Sequence, residues 1–124
     1  MSQLNGVKTS VQQVAEAIAI ALKIEVEIVD EDLTIIGGTG VYTERLGFKE
    51  ERGDLDGNYL YARVMRTGVT QYVSNAYDDE DYDEYGCGGT LFGERAEICT
   101  PILCKGKVIG IIGMVAFSDE QIQV

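Results

Sequence analysis

The sequence predicts a single α+β domain organised around a buried β-hairpin from Ala96 to Phe117. Three observations predict it. Apolar residues recur at helical spacing between Val11 and Lys23; an alternating segment and its return run from Ile24 to Gly40; and two apolar segments between Ala96 and Phe117 are joined by the turn residues Lys105, Gly106 and Lys107. A chain of 124 residues can bury one modest core, so one domain spanning 1–124 is expected.

Ser10 followed by Gln13 fits a capping box, and Val11, Val14, Ala15, Ile18 and Leu22 then define an apolar stripe, which places a helix over about Val11 to Lys23. Between Val14 and Leu22 only Glu16 is polar, so apolar side chains extend beyond one stripe. Two readings stand: Ala17, Ala19 and Ala21 are helix formers on a solvated face, or the helix packs on a second copy to make a homodimer. Ile24, Val26 and Ile28 alternate with Glu25 and Glu27, the period of a strand buried on one face and wet on the other. Asp30 to Asp32 supply a turn, Leu33 to Ile36 return as a second strand, and Gly37, Gly38, Thr39 and Gly40 end it. After a polar stretch from Val41 to Gly57, the pairs Leu60 and Val64, and Tyr61 and Met65, mark a short helix closing at Gly68, with Gln71 to Val73 a short strand.

Ser74 to Glu94 is a long connection containing the run DDEDYDEYGCGG, too polar for a core and longer than ordinary loops. Ala96 to Leu103 reads as a strand with an edge or bulge at Pro101. Val108 to Phe117 is unbroken apolar sequence, as in a central strand covered on both faces, with Gly110 and Gly113 permitting close backbone approach.

Charge and composition exclude several functions. A formal charge of -11 opposes direct binding to nucleic acid or to an anionic membrane. No apolar stretch approaches membrane-spanning length and the N-terminus lacks signal-peptide character, so a cytoplasmic protein is expected. Histidine is absent, removing the commonest general base and zinc ligand. Three cysteines, Cys87, Cys99 and Cys104, are an odd number and read as thiols rather than a disulfide framework.

Four blocks carry a family resemblance: Val26 to Asp30 (VEIVD), Gly38 to Tyr42 (GTGVY), Ala96 to Ile102 (AEICTPI) and Lys107 to Phe117 (KVIGIIGMVAF). Arranged around a short helix ending in RTG and an acidic loop, they resemble the N-terminal sensor domains of sigma-54-dependent transcriptional regulators of clostridia-like bacteria. The last block also resembles the end of a GAF domain. The resemblance implies a GAF/PAS-like α+β fold, an antiparallel β-sheet with helices, the N-terminal helix among them, packed on one face and a ligand pocket on the other, beneath the long connections. It further implies a downstream ATP-hydrolysing activator module and a DNA-binding helix-turn-helix in a longer protein. This chain lacks G-x-x-x-x-G-K-[ST], so it is expected to be an excised input domain. Such relatives often carry several cysteines in the loop before the AEIC-like strand, implying a metal or iron-sulfur site; here only Cys87 stands there. Its partners would be Cys99 and Cys104, but these are an odd number of residues apart and point to opposite faces of an unbulged strand, so one strand could hardly aim both at one ion, and a metal site would hold Cys87 and Cys99 if any.

The expected function is small-molecule or redox sensing, in which a bound ligand shifts the packing of a homodimer. The ligand-binding candidates are Thr39, Tyr42, Tyr72, Tyr85, Cys87, Arg95 and Cys99. The tyrosines, with Tyr77 and Tyr82 nearby, offer an apolar wall with polar tips. Arg63, Arg66 and Arg95 offer grips for an anion. Cys87, flanked by Gly86, Gly88 and Gly89, offers an accessible thiol, while Cys99 and Cys104 in apolar strands read equally as small hydrophobes. The acidic run lacks the EF-hand order and reads as solvated. No catalytic residue is assigned. The enzyme alternative is a GAF-type methionine sulfoxide reductase, against which stand the absence of tryptophan and the cysteine contexts.

Overall fold

Residues 4–48, 60–73 and 96–116 are described by a computed structural model. A 3-10 turn at Leu4–Val7 leads into α1 (Lys8–Leu22). The helix therefore starts earlier than the capping-box reading. Val7 is its N-cap residue and no side chain caps it; Ser10 lies inside the first turns, exposed. The entry is held by packing instead: Leu4 is buried against the sheet beside Gly110, where any Cβ would strike Leu4 Cδ1 and lie 2.6 Å from the Val29 carbonyl oxygen.

Five strands follow: β1 (Glu25–Asp30), β2 (Ile35–Gly38), β3 (Gln71–Val73), β4 (Ala96–Cys104) and β5 (Lys107–Ala116). A second 3-10 segment, Gly40–Arg45, follows β2, and α2 (Leu60–Thr67) precedes β3. The sheet order is β2-β1-β5-β4-β3, and every pair is antiparallel. The unbroken apolar run is thus the middle strand, as its composition predicts.

The return strand begins later than the sequence suggests because the turn is longer. Asp30 Oδ1 accepts hydrogen bonds from the backbone N–H groups of Asp32 and Thr34 (2.9 and 3.0 Å). Leu33, expected in the strand, instead sits at φ +61° within that turn, its side chain buried. At the other end of the sheet Lys105 (φ +52°) and Gly106 (φ +80°) form the β4–β5 turn, the pattern of a two-residue type I′ hairpin.

Pro101 in β4 pairs with Ile111 of β5, beyond the end of β3, whose partners are only Glu97, Ile98 and Cys99. Among the described residues no strand lies there to receive its missing N–H. The register shift between Ile102 and Leu103 places the extra residue, Ile109, on β5. The alternation of β4 is left intact, so Cys99 and Cys104 face opposite sides.

Each face has its own core. On one, α1 packs across β1 and β2, and Val11 and Ala15 meet Val26, Ile28, Ile36 and Ile109, with Cys104 at the margin. On the other, Tyr61 and Val64 of α2 meet Val29, Leu33, Ile35, Cys99 and Ile111. Each fully buried Val, Leu or Ile contributes about 1.5–3 kcal/mol relative to exposure. Val14, Leu22 and Ile20, the last 78% accessible, project from α1 away from the sheet.

Candidate functional site: the polar row beneath α2

The face opposite α1 carries polar groups at its centre, where the face beneath α1 is apolar. Strand pairing sets Gly38, Glu27, Gly113, Cys99 and Gln71 side by side across all five strands. Glu27 is 2% accessible and Glu97, two residues from Cys99 on the same face, is also 2%. The wet face expected for β1 is therefore not wet. The correction has a physical reason, since β1 lies inside the sheet with β2 and β5 as neighbours, and the segment after β2 folds over it.

Glu97 organises the centre. Its Oε2 accepts the Tyr61 hydroxyl at 2.7 Å and the Cys99 thiol at 3.1 Å. Two buried donors thus converge on one oxygen of a side chain that is itself buried, the arrangement a buried carboxyl group requires. The cluster occupies the space a side chain at Gly113 would fill: a Cβ there would collide with Tyr61 Oη and lie 2.6 Å from Glu97 Oε2. Tyr61 comes from the first turn of α2, so this hydrogen bond also ties α2 to β4 across 36 residues of sequence.

Tyr42 closes the β2 end of the row. It is buried, and its Cβ sits over Gly38, where a Cβ would approach it to 2.7 Å. Thr39 is spent locally: its hydroxyl accepts from Val26 N–H (2.9 Å) and donates to Glu25 Oε1 (3.1 Å), and its carbonyl accepts from Tyr42 N–H (3.0 Å). Thr39 thus fixes the exit of the hairpin and the position of Tyr42.

Of the sequence-derived candidates, Tyr42 and Cys99 share the row and Thr39 supports it. Tyr72 does not join them. It pairs with Ile98 on the opposite face and is 70% accessible. Tyr85, Cys87 and Arg95 lie outside the described residues, as does the whole of the long acidic connection. Arg63 is half-buried on α2 and Arg66 is exposed. Among the described residues no three His, Cys, Asp or Glu side chains gather to hold a metal ion, and no helix is long and apolar enough to cross a membrane. A separate open groove of about 630 Å³ runs along the outer edge of β2, between Lys8, Gln12 and Glu16 of α1 and Leu46 and Gly47.

Sequence reasoning missed Glu27, Glu97 and Tyr61. A signal for Glu97 was present: it is the one charged residue in the strand sequence A-E-I-C-T-P-I-L-C, where a carboxyl group without a wet face must be held by partners.

No family model matches the chain. It is 32% identical over 122 residues, 97% of its length, to the putative uric acid sigma-54-dependent transcriptional regulator UacR of Escherichia coli, and spans 19% of that protein. Among solved structures, it resembles the GAF domain of A. aeolicus nlh2 in an inactive state, with a TM-score of 0.66, 22% identity, and coverage of 94% of this chain and 73% of that one. It also resembles the type II free methionine-R-sulfoxide reductase of Thermoplasma acidophilum, with a TM-score of 0.70, 14% identity, and coverage of 98% and 84%. At these identities the structures establish the fold, which a regulator domain and a reductase share. Taken together, the chain has the fold of a GAF domain and is related, through nearly its whole length, to about a fifth of a sigma-54-dependent transcriptional regulator.

Proposed function

We propose that this domain, spanning 1–124, is the input module of a longer regulator and binds a small polar heterocycle rich in N–H donors on the face carrying Glu97. The observation that carries this reading is the Tyr61–Glu97–Cys99 cluster, buried in the same face as Glu27 and Tyr42. Buried carboxylates are costly, and a fold that keeps two of them in one face of a small sheet gains where they read a ligand. Acceptor oxygens select N–H and O–H donors over ligands that present acceptors alone. The name of the E. coli relative supports the class, since uric acid presents several ring N–H groups. Thr39, Tyr72, Tyr85, Cys87 and Arg95 complete the candidate set, with Tyr72 the weakest because it faces away.

In the full-length protein the domain would bias an ATP-hydrolysing activator module, with α1 as the dimer contact through Val14, Ile20 and Leu22. Binding rather than catalysis is favoured by the thiols: Cys99 is buried and donates to Glu97, while Cys104 lies on the other face, so these two cannot close a disulfide. Calorimetric titration of the chain with urate, xanthine and hypoxanthine tests the reading. Saturable binding that Glu97→Gln weakens at least about tenfold, or roughly 1.4 kcal/mol, supports it. Failure of all three to bind, or binding indifferent to Glu97→Gln, rejects it. Thioredoxin-coupled turnover of free methionine sulfoxide would instead establish the reductase activity.

A further inference from the structure

We infer that Gln12 is the coupling residue between the ligand face and α1: its side-chain amide ties the helix to Gly38, the strand position on which Tyr42 rests. This inference rests on the reading of the Glu97 face as the ligand site.

The argument begins with the sheet edge. β2 is the outermost strand, and its outward backbone groups need partners. At Ile35 they are met by Gly47 and Phe48: Ile35 N–H donates to the Phe48 carbonyl and Gly47 N–H to the Ile35 carbonyl, both at 2.8 Å. At Gly38 they are met by one side chain. Gln12 Nε2 donates to the Gly38 carbonyl and Gly38 N–H donates to Gln12 Oε1, both at 2.9 Å. The Gln12 amide thus stands in for a sixth strand at this point, and it comes from the helix.

Gly38 has a different neighbour on each side. On the ligand face its missing side chain is replaced by Tyr42, whose Cβ and carbonyl oxygen would lie 2.7 and 3.0 Å from a Cβ at Gly38. Glu27 is its cross-strand partner. Next to it, Gly37 faces α1, with Val11 Cγ1 3.0 Å from where its own Cβ would be. The two adjacent glycines let Tyr42 approach one face and α1 the other. Little compressible matter lies between them, and close-packed interiors transmit displacement. The apolar contacts of α1 with β1 and β2 are non-directional and permit small slides. The Gln12 amide, with both its donor and its acceptor engaged, fixes helix register to Gly38. A ligand that repositions Tyr42 therefore moves Gly38, and Gln12 carries that movement into α1 as a shift of the 1–2 Å kind seen at regulated helix contacts.

The test is a double-mutant cycle read by amide hydrogen exchange of α1, and it needs no ligand. In the wild-type chain, Tyr42→Leu is expected to speed exchange of the α1 amides by about threefold or more. With Gln12→Leu already present, the same change is expected to alter them by less than about twofold. An equal response in both backgrounds, or none in the wild type, overturns the inference. Should Tyr42→Leu fail to fold, Gly38→Ala presses on the same contact from the strand side and the same comparison applies. Urate provides a second arm. If it binds, its effect on α1 exchange should vanish in Gln12→Leu while its Kd changes by less than about threefold; persistence of that effect overturns the coupling role. If urate does not bind, the proposed ligand class fails, and the mutational cycle still decides the role of Gln12.

Discussion

The two faces of this sheet are built from the same strands and solve different problems. Under α1, Val26, Ile28, Ile36 and Ile109 meet Val11 and Ala15, and the contact is apolar except at its edge, where the Gln12 amide bonds Gly38. Under α2, apolar residues of similar size surround Glu27, Glu97, Tyr61 and Cys99. The first face gains stability chiefly from burial. The second loses part of that gain to desolvated polar groups and recovers it through specific hydrogen bonds. A small domain keeps such a face where the polar groups have work to do.

One substitution made on both faces separates them most sharply. Gly113→Ala inserts a methyl group among Tyr61 Oη, Glu97 Oε2 and, at 3.1 Å, Tyr61 Cζ. Those atoms can withdraw only by breaking a buried hydrogen bond, so the expected loss is about 2–4 kcal/mol in chemical denaturation. Gly37→Ala meets Val11 Cγ1 at 3.0 Å and Ile28 Cβ at 3.5 Å. An apolar contact can yield by a few tenths of an ångström, and the unfolded chain loses entropy, so its cost should be about 1 kcal/mol or less. Equal costs would show that the polar cluster is no more rigid than the apolar face.

Removing the acceptor comes next in size. Glu97→Ala leaves the Tyr61 hydroxyl and the Cys99 thiol buried without their partner, an expected cost of about 2–3 kcal/mol. Tyr61→Phe removes one donor and should cost about 1 kcal/mol. The two together should fall short of additive by about 1 kcal/mol; additive losses would mean that the bond contributes nothing measurable. On the other face, Ile28→Val should cost about 1 kcal/mol and leave any ligand affinity unchanged.

The same contrast explains what could be read from the sequence. The α1 face was legible because periodicity reports burial: Val11, Ala15 and Ile18 recur at helical spacing, and Val26 and Ile28 at strand spacing. β5 was legible as the central strand from its unbroken apolar run. Glu27 misled for the same reason, because alternation assigns a polar residue to water and cannot register that Tyr42 and the segment after β2 cover it. Tyr61 was read as part of a helical stripe, and nothing local announces that its hydroxyl reaches Glu97, 36 residues away. Leu33 was placed in a strand because its composition fits one; the two hydrogen bonds to Asp30 Oδ1 hold the turn that captures it. The sheet position of Cys99 was legible from parity alone, since the bulge falls on the partner strand.

The smallest expected effect belongs to neither face and so calibrates both. Lys105 holds φ +52° beside Gly106 at +80°, a conformation in which Asn is favoured over Lys because its short polar side chain tolerates the left-handed region. Lys105→Asn should stabilise the chain by about 0.5 kcal/mol, slightly reduced by the loss of one positive charge from a chain whose net charge is already -11. The turn joins β4 to β5, and both strands contribute to both faces, so the change strengthens the scaffold without touching Glu97, Tyr61 or Gln12. Thermal unfolding should shift upward while ligand affinity and the α1 exchange response stay fixed. A change in affinity would mean that the strength of the hairpin itself sets the geometry of the polar row, and the two faces would then have to be treated as one cooperative unit.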